Sequence, residues 1–179
     1  MVATFQPFGL RPVRHHSGGE IRTQGFENGI ADGTVTQIYM GQPVKWASGY
    51  LTAAAPGDTN IAGVFAGCQY FDSSRDHAVQ FQPAYIGSAT TKNILVHVHT
   101  DPWIIYQIQG ATTPLTMRGQ FADFTGSGGN AITGDSAVAI GTASGTKANF
   151  RIIDRFDIPE NPWGTNTIVE VIFAEHLDK

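Results

Sequence analysis

Asn149–Phe156 (NFRIIDRF) and Thr167–Ala174 (TIVEVIFA) decide the fold class. Both runs are rich in Ile, Val, Thr and Phe, side chains that fit a pleated, half-buried surface better than a helix. Between them stand Pro159, Pro162 and Gly164, which interrupt regular structure and mark a turn. The same texture continues outward from this pair. Thr34–Met40 (TVTQIYM), Pro43–Trp46, Leu51–Ala55, Ile61–Phe71 (IAGVFAGCQYF), Asn93–His99 (NILVHVH) and Trp103–Ile108 (WIIYQI) all read as strands. Gly41, Ser48-Gly49, Pro56-Gly57-Asp58 and Asp101-Pro102 punctuate them. Thr125–Lys147, rich in Gly, Ser, Thr and Ala, reads as a long loop with one weak strand at Ala137–Ile140. Strands at a spacing of about ten residues predict an antiparallel β-sandwich or barrel, jelly-roll-like in character.

Composition agrees with that reading. The 179 residues include 16 Ile, 11 Val and 18 Thr against only 5 Leu, which excludes a helical bundle and argues against a doubly wound α/β fold. A hydrophobic content of 41 % excludes intrinsic disorder. The length suits one domain, although two β subdomains meeting near Asp101 are compatible with it. The single cysteine, Cys68, allows no intrachain disulfide. Lys and Arg number 11 against 15 acidic residues, so no nucleic-acid partner is expected. No apolar run reaches membrane-spanning length and no signal-peptide pattern opens the chain, so no membrane partner is expected and the protein reads as assembled inside a cell.

Residues 1–33 differ from the 34–179 body in showing neither a helical nor a strand period, and read as an extended N-terminal arm. Pro7 and Pro12 hold their neighbours extended. Phe5, Phe8, Leu10 and Val13 offer apolar anchors, and Arg11 and Arg14 offer charge. Such a segment is either a frayed terminus or an arm laid across a neighbouring subunit, where a Pro-stiffened chain loses little entropy on docking. In the second case, removing residues 1–14 should leave a folded body without its partner contact.

Catalytic constellations are weak. His97 and His99 share one strand face, as in the H-x-H of cupin jelly rolls, but no Glu follows at the required place. The competing reading is a polar face carrying two histidines, with Val96 and Val98 turned to the core. His15 and His16, adjacent in an extended chain, point opposite ways. Gly134-Asp135-Ser136-Ala137-Val138 lacks the closing Gly of a nucleophile elbow, and Gly141–Lys147 lacks phosphate-loop spacing. Cys68 reads as a small buried hydrophobe. No catalytic residue, metal site or cofactor is therefore expected. Trp46 and Trp163, beside turns, read as either core or interface anchors; Trp46, Trp163 or Tyr50 could serve as a sugar-stacking platform, and with Trp103, Tyr70, Tyr85 and Tyr106 these aromatics could line a sugar-binding groove.

Four stretches carry a resemblance. Pro7-Phe8-Gly9-Leu10-Arg11-Pro12-Val13-Arg14 is similar to the P-F-G-[LF]-R-P-V-R opening of a family of small tailed-phage virion proteins. Ile38–Lys45 (IYMGQPVK) is similar to the family's I-x-x-G-D-P-V segment, with Gln42 in place of Asp. Ile61–Gly67 (IAGVFAG) resembles its I-x-G-V-x-x-G, and Ile168–Phe173 followed by Glu175-His176 resembles its ending. The resemblance implies a capsid decoration, or cement, protein without catalysis or cofactor. Such a protein sits on the virion exterior, is assembled in the host cytoplasm, clamps major capsid protein subunits and forms a homotrimer. In that reading Phe5, Phe8, Leu10, Arg11 and Arg14 contact the capsid, with Trp46 and Trp163 as further interface anchors. The alternatives are a tail-associated or carbohydrate-binding β module and, further off, a cupin-like metalloenzyme.

Overall fold

The computed structural model describes residues 4–72 and 79–178, so Met1–Ala3 of the expected arm and residues 73–78 and Lys179 of the expected body lie outside the described residues. The described residues are all-β apart from one short 3-10 turn at Leu115–Met117. Sixteen strands run in chain order among them. The first eight are β1 (Arg11–His15), β2 (Gln24–Phe26), β3 (Gln37–Tyr39), β4 (Pro43–Ala47), β5 (Tyr50–Ala53), β6 (Ile61–Asp72), β7 (Gln80–Gln82) and β8 (Ala84–Ile86). The rest are β9 (Thr91–His99), β10 (Ile104–Gln109), β11 (Thr112–Thr113), β12 (Phe121–Thr125), β13 (Ala139–Ser144), β14 (Phe150–Arg155), β15 (Gly164–Thr165) and β16 (Ile168–Phe173).

Two six-stranded antiparallel sheets dominate. The N-sheet has the order β2-β9-β6-β4-β5, with β7 also pairing with β6. The C-sheet has the order β1-β10-β16-β14-β12-β13. The chain leaves the N-sheet at His99 and enters the C-sheet at Ile104, so Asp101-Pro102 is the crossover. The pair that decided the fold class, β14 and β16, lies at the centre of the C-sheet, with Phe150 opposite Phe173 and Ile152 opposite Val171.

Alternation places the core. Ile104, Tyr106, Ile108, Phe150, Ile152, Val169, Val171 and Phe173 turn one face of the C-sheet inward, where Ala54, Ile61 and Val64 of the N-sheet half meet them. The other face of β6 and β9 builds a second core from Ala62, Phe65, Cys68, Tyr70, Ile94, Val96 and Val98. Strand β6 thus feeds both cores, which explains its length and its nearly unbroken burial. These two clusters make the fold a β-sandwich-like packing of antiparallel sheets.

The N-terminal segment is extended, and it lies on its own body. Gln6 N donates to the Gln109 side chain at 2.7 Å, and Gln109 Nε2 donates back to Thr4 O at 3.1 Å. Strand β1 pairs with β10 from Arg11 opposite Gln107 to His15 opposite Ile104. Strand β2 pairs with β9. The first 33 residues therefore supply edge strands to both large sheets. The expected role of Leu10 as an anchor on a neighbour is corrected here: its side chain is 1 % exposed and belongs to the core between the sheets. The expectation that loss of residues 1–14 leaves the body intact is corrected for the same reason, since it would remove this leucine and most of β1.

Leu10 reaches the core through a close backbone crossing. Gly9 and Gly41 both have positive φ, at 73° and 82°. A Cβ on Gly9 would stand 2.8 Å from Gly41 O, and one on Gly41 would stand 2.8 Å from Leu10 N. Leu10 N donates to Gly41 O at 2.8 Å, Gly41 N to Phe65 O at 2.9 Å, and Phe65 N to Gln42 O at 2.9 Å. The Gln42 side chain, 3 % exposed, accepts from Tyr39 N at 3.1 Å and closes the turn. Three of the four stretches that carry the resemblance therefore meet at one junction.

Leu10→Ala is expected to cost about 3 kcal/mol, the range for a fully buried leucine, in urea unfolding followed by fluorescence. Gly41→Ala is expected to cost at least about 2 kcal/mol, from the left-handed backbone and the backbone clash together. Wild-type stability in both variants would place the segment off the body.

Candidate interaction surface

The outer face of the C-sheet is where the expected charges come together. Register fixes one row across five strands. Arg14 lies opposite Ile105, Ile105 opposite Ile172, Ile172 opposite Arg151, and Arg151 opposite Phe121. The next row on the same face holds Arg11, Gln107, Glu170 and Asp154. Side chains two apart on a strand share a face, so a charged belt runs beside an apolar one. Above the first row lies a groove of about 1040 Å³. Ile105, Ile153, Ile172 and Phe121 lie along its lining, and Arg14, Arg118, Lys147 and Arg151 supply its charges.

Each expected contact residue has a definite place. Phe5 is exposed at 43 %. Phe8 is half-buried, with the Arg11 guanidinium 4.7 Å from its ring centre. Arg11 also pairs with Asp135 at 3.2 Å. Arg14 forms a two-pronged pair with Glu170, its second nitrogen donating at 2.6 Å, and this hydrogen bond raises the already high pKa of the guanidinium. Both arginines expected to meet capsid carboxylates thus already hold carboxylates of their own chain. Trp46 is half-buried and meets the edge of Phe26 at 5.1 Å. Trp163 packs on the core between the sheets with Arg118 over its ring at 5.6 Å. Trp46 and Trp163 pack against different cores, and Tyr50 is exposed.

Sequence reasoning gave Arg151 no contact role and named Trp103 only among the aromatics that could line a sugar-binding groove. Trp103 is 47 % exposed, stacked by His16 at 6.1 Å, and stands at the groove. Asp101 fixes its strand entry by accepting from Trp103 N at 2.8 Å and meeting His15 Nε2 at 3.0 Å. The Asp-Pro turn before Trp103 was the available signal. Arg151 gave none, because an outward cation on a strand looks like any solvated residue until the register is known.

The histidine pair lies elsewhere. Val96 and Val98 fill the second core, and His97 and His99 take the opposite face. His99 Nδ1 meets Arg22 O at 3.1 Å, and its ring lies edge-on to Tyr106. Among the described residues no group of three metal-ligating side chains gathers there or elsewhere. Cys68 is fully buried, and that burial pushes its thiol up to about 12. It is therefore no nucleophile near neutral pH. A scan of protein-family models, a search of curated proteins and a search of solved structures each find no match to this chain.

Burial lowers the His99 pKa from the usual histidine value, partly offset by its bond to the Arg22 carbonyl. The unfolded chain then takes up this proton first as pH falls below about 6.5. Stability from neutral His99 is intact above that value and is lost as pH drops through the lower folded-state pKa. His99→Gln is expected to flatten the loss of stability between neutral and mildly acid pH, measured by urea unfolding. Cys68 should stay unreactive toward a thiol reagent at mildly alkaline pH until denaturant is added. Rapid labelling of the folded protein would contradict its placement.

Proposed function

We propose that the chain is a structural virion protein that decorates the outside of an icosahedral phage head and stabilises contacts between major capsid subunits. The observation that carries this reading is the octet Pro7–Arg14 with its companion stretches at Ile38–Lys45 and Ile61–Gly67. Their junction at Gly9, Gly41 and Phe65 supports it further, because the stretches that carry the resemblance are also ones this fold brings together. The outer face of the C-sheet supplies a broad surface for contact, with Arg11, Arg14 and Trp103 on or beside it. A net charge of -4 suits an external position facing away from packaged DNA. Self-association as a trimer belongs to the same reading.

Capsid contact in this reading falls to exposed groups: Phe5, the Phe8–Arg11 pair and the groove face. Leu10 serves the fold instead. Purified protein added to undecorated heads of the phage that encodes it is expected to co-sediment with them and to appear as added density on the outer capsid floor. Protein that stays in the supernatant, or density at the tail instead, would overturn the assignment.

A further inference from the structure

We infer that the groove on the outer face of the C-sheet receives an acidic, aliphatic-rich segment of a protein partner, held by Arg151 and Lys147. The inference rests on the decoration reading for who the partner is, but the chemistry of the groove stands apart from it. All four charged residues that line the groove are basic, in a chain whose net charge is negative. Two of them are spoken for: Arg14 holds Glu170, and Arg118 holds Asp154 at 2.8 Å. The side chains of Arg151 and Lys147 are exposed and have no ion-pair or hydrogen-bond partner among the described residues. They are the cations left for an incoming anion.

The apolar part of the lining decides what kind of anion. Ile105 and Ile172 lie between Arg14 on one side and Arg151 on the other, and Ile153 lines the groove further along β14. Trp103 stands exposed near Arg14, and Phe121 lies opposite Arg151. An aliphatic lining beside cations matches a peptide that presents apolar side chains with carboxylates beside them. It matches a nucleic acid poorly. Base stacking asks for a run of open aromatic faces, and the strip between the cations is aliphatic. A capsid surface loop or tail of that composition is the occupant to which the geometry points.

The test uses full-length protein and the double variant Arg151→Glu/Lys147→Glu, both sites being exposed and outside the two cores. A labelled peptide alternating Asp and Val, and a control alternating Lys and Val, are titrated by fluorescence anisotropy at low and high salt. The acidic peptide should bind wild type and lose at least about tenfold in affinity to the variant, since charge-assisted contacts are removed. Salt should weaken it and the basic control should not bind. No binding of the acidic peptide, equal binding by the variant, or preferential binding of a DNA oligonucleotide would overturn the inference. A change of oligomeric state in the variant would assign the groove to a second copy of this chain and overturn it as well. Head co-sedimentation of the same two proteins separates the readings. Heads bound equally by both leave decoration standing and remove the groove. Peptide binding lost in the variant, with no head binding by wild type, leaves the groove standing and removes decoration.

Discussion

The crossing of two backbones at Gly9 and Gly41 is the constraint on which the rest of the structure depends. Neither position has room for a Cβ, and both hold positive φ. Because the chains approach this closely, Leu10 can hydrogen-bond Gly41 with its amide and drop its side chain between the sheets. From there β1 has one course open to it, along the edge of β10. That course delivers Arg14 to Glu170 and sets the row of Arg14, Ile105, Ile172 and Arg151 from which the outer face is built.

The same constraint changes the meaning of the N-terminal residues. A segment rich in prolines, aromatics and arginines looks made for another molecule. In the folded chain its leucine serves the core, its arginines are paired within the chain, and its prolines keep an edge strand extended. Pro12 sits within β1 without harm because an edge strand leaves one side of its backbone unpaired. Partner-facing chemistry moves instead to the side chains of Arg151 and Lys147, which the described residues leave unmatched, with exposed Trp103 at the same groove.

Much of the body was legible from residue order. NILVHVH alternates visibly, and its valines and histidines take opposite faces as read. NFRIIDRF and TIVEVIFA announce strands through their branched residues and pair at the sheet centre. The edge strands supplied by the N-terminal segment were not legible. RPVRH mixes half-buried and exposed positions with no apolar face, because an edge strand over a charged belt needs none. Phe121–Thr125 was missed for a related reason: five residues, three of them small or polar and inward Ala122 among them, carry too few branched side chains to stand out. The groove could not be read at all. Its row joins residues 14, 105, 172, 151 and 121, and only the strand order of the C-sheet brings them together.

Native-state amide hydrogen exchange at Leu10 tests this account most directly, because that amide is the hydrogen bond of the crossing. The account predicts that Leu10 exchanges only through global unfolding, with the same protection free energy as core amides such as Ile152 and Val171. Exchange at the rate of an unstructured peptide, while those core amides stay protected, would contradict it.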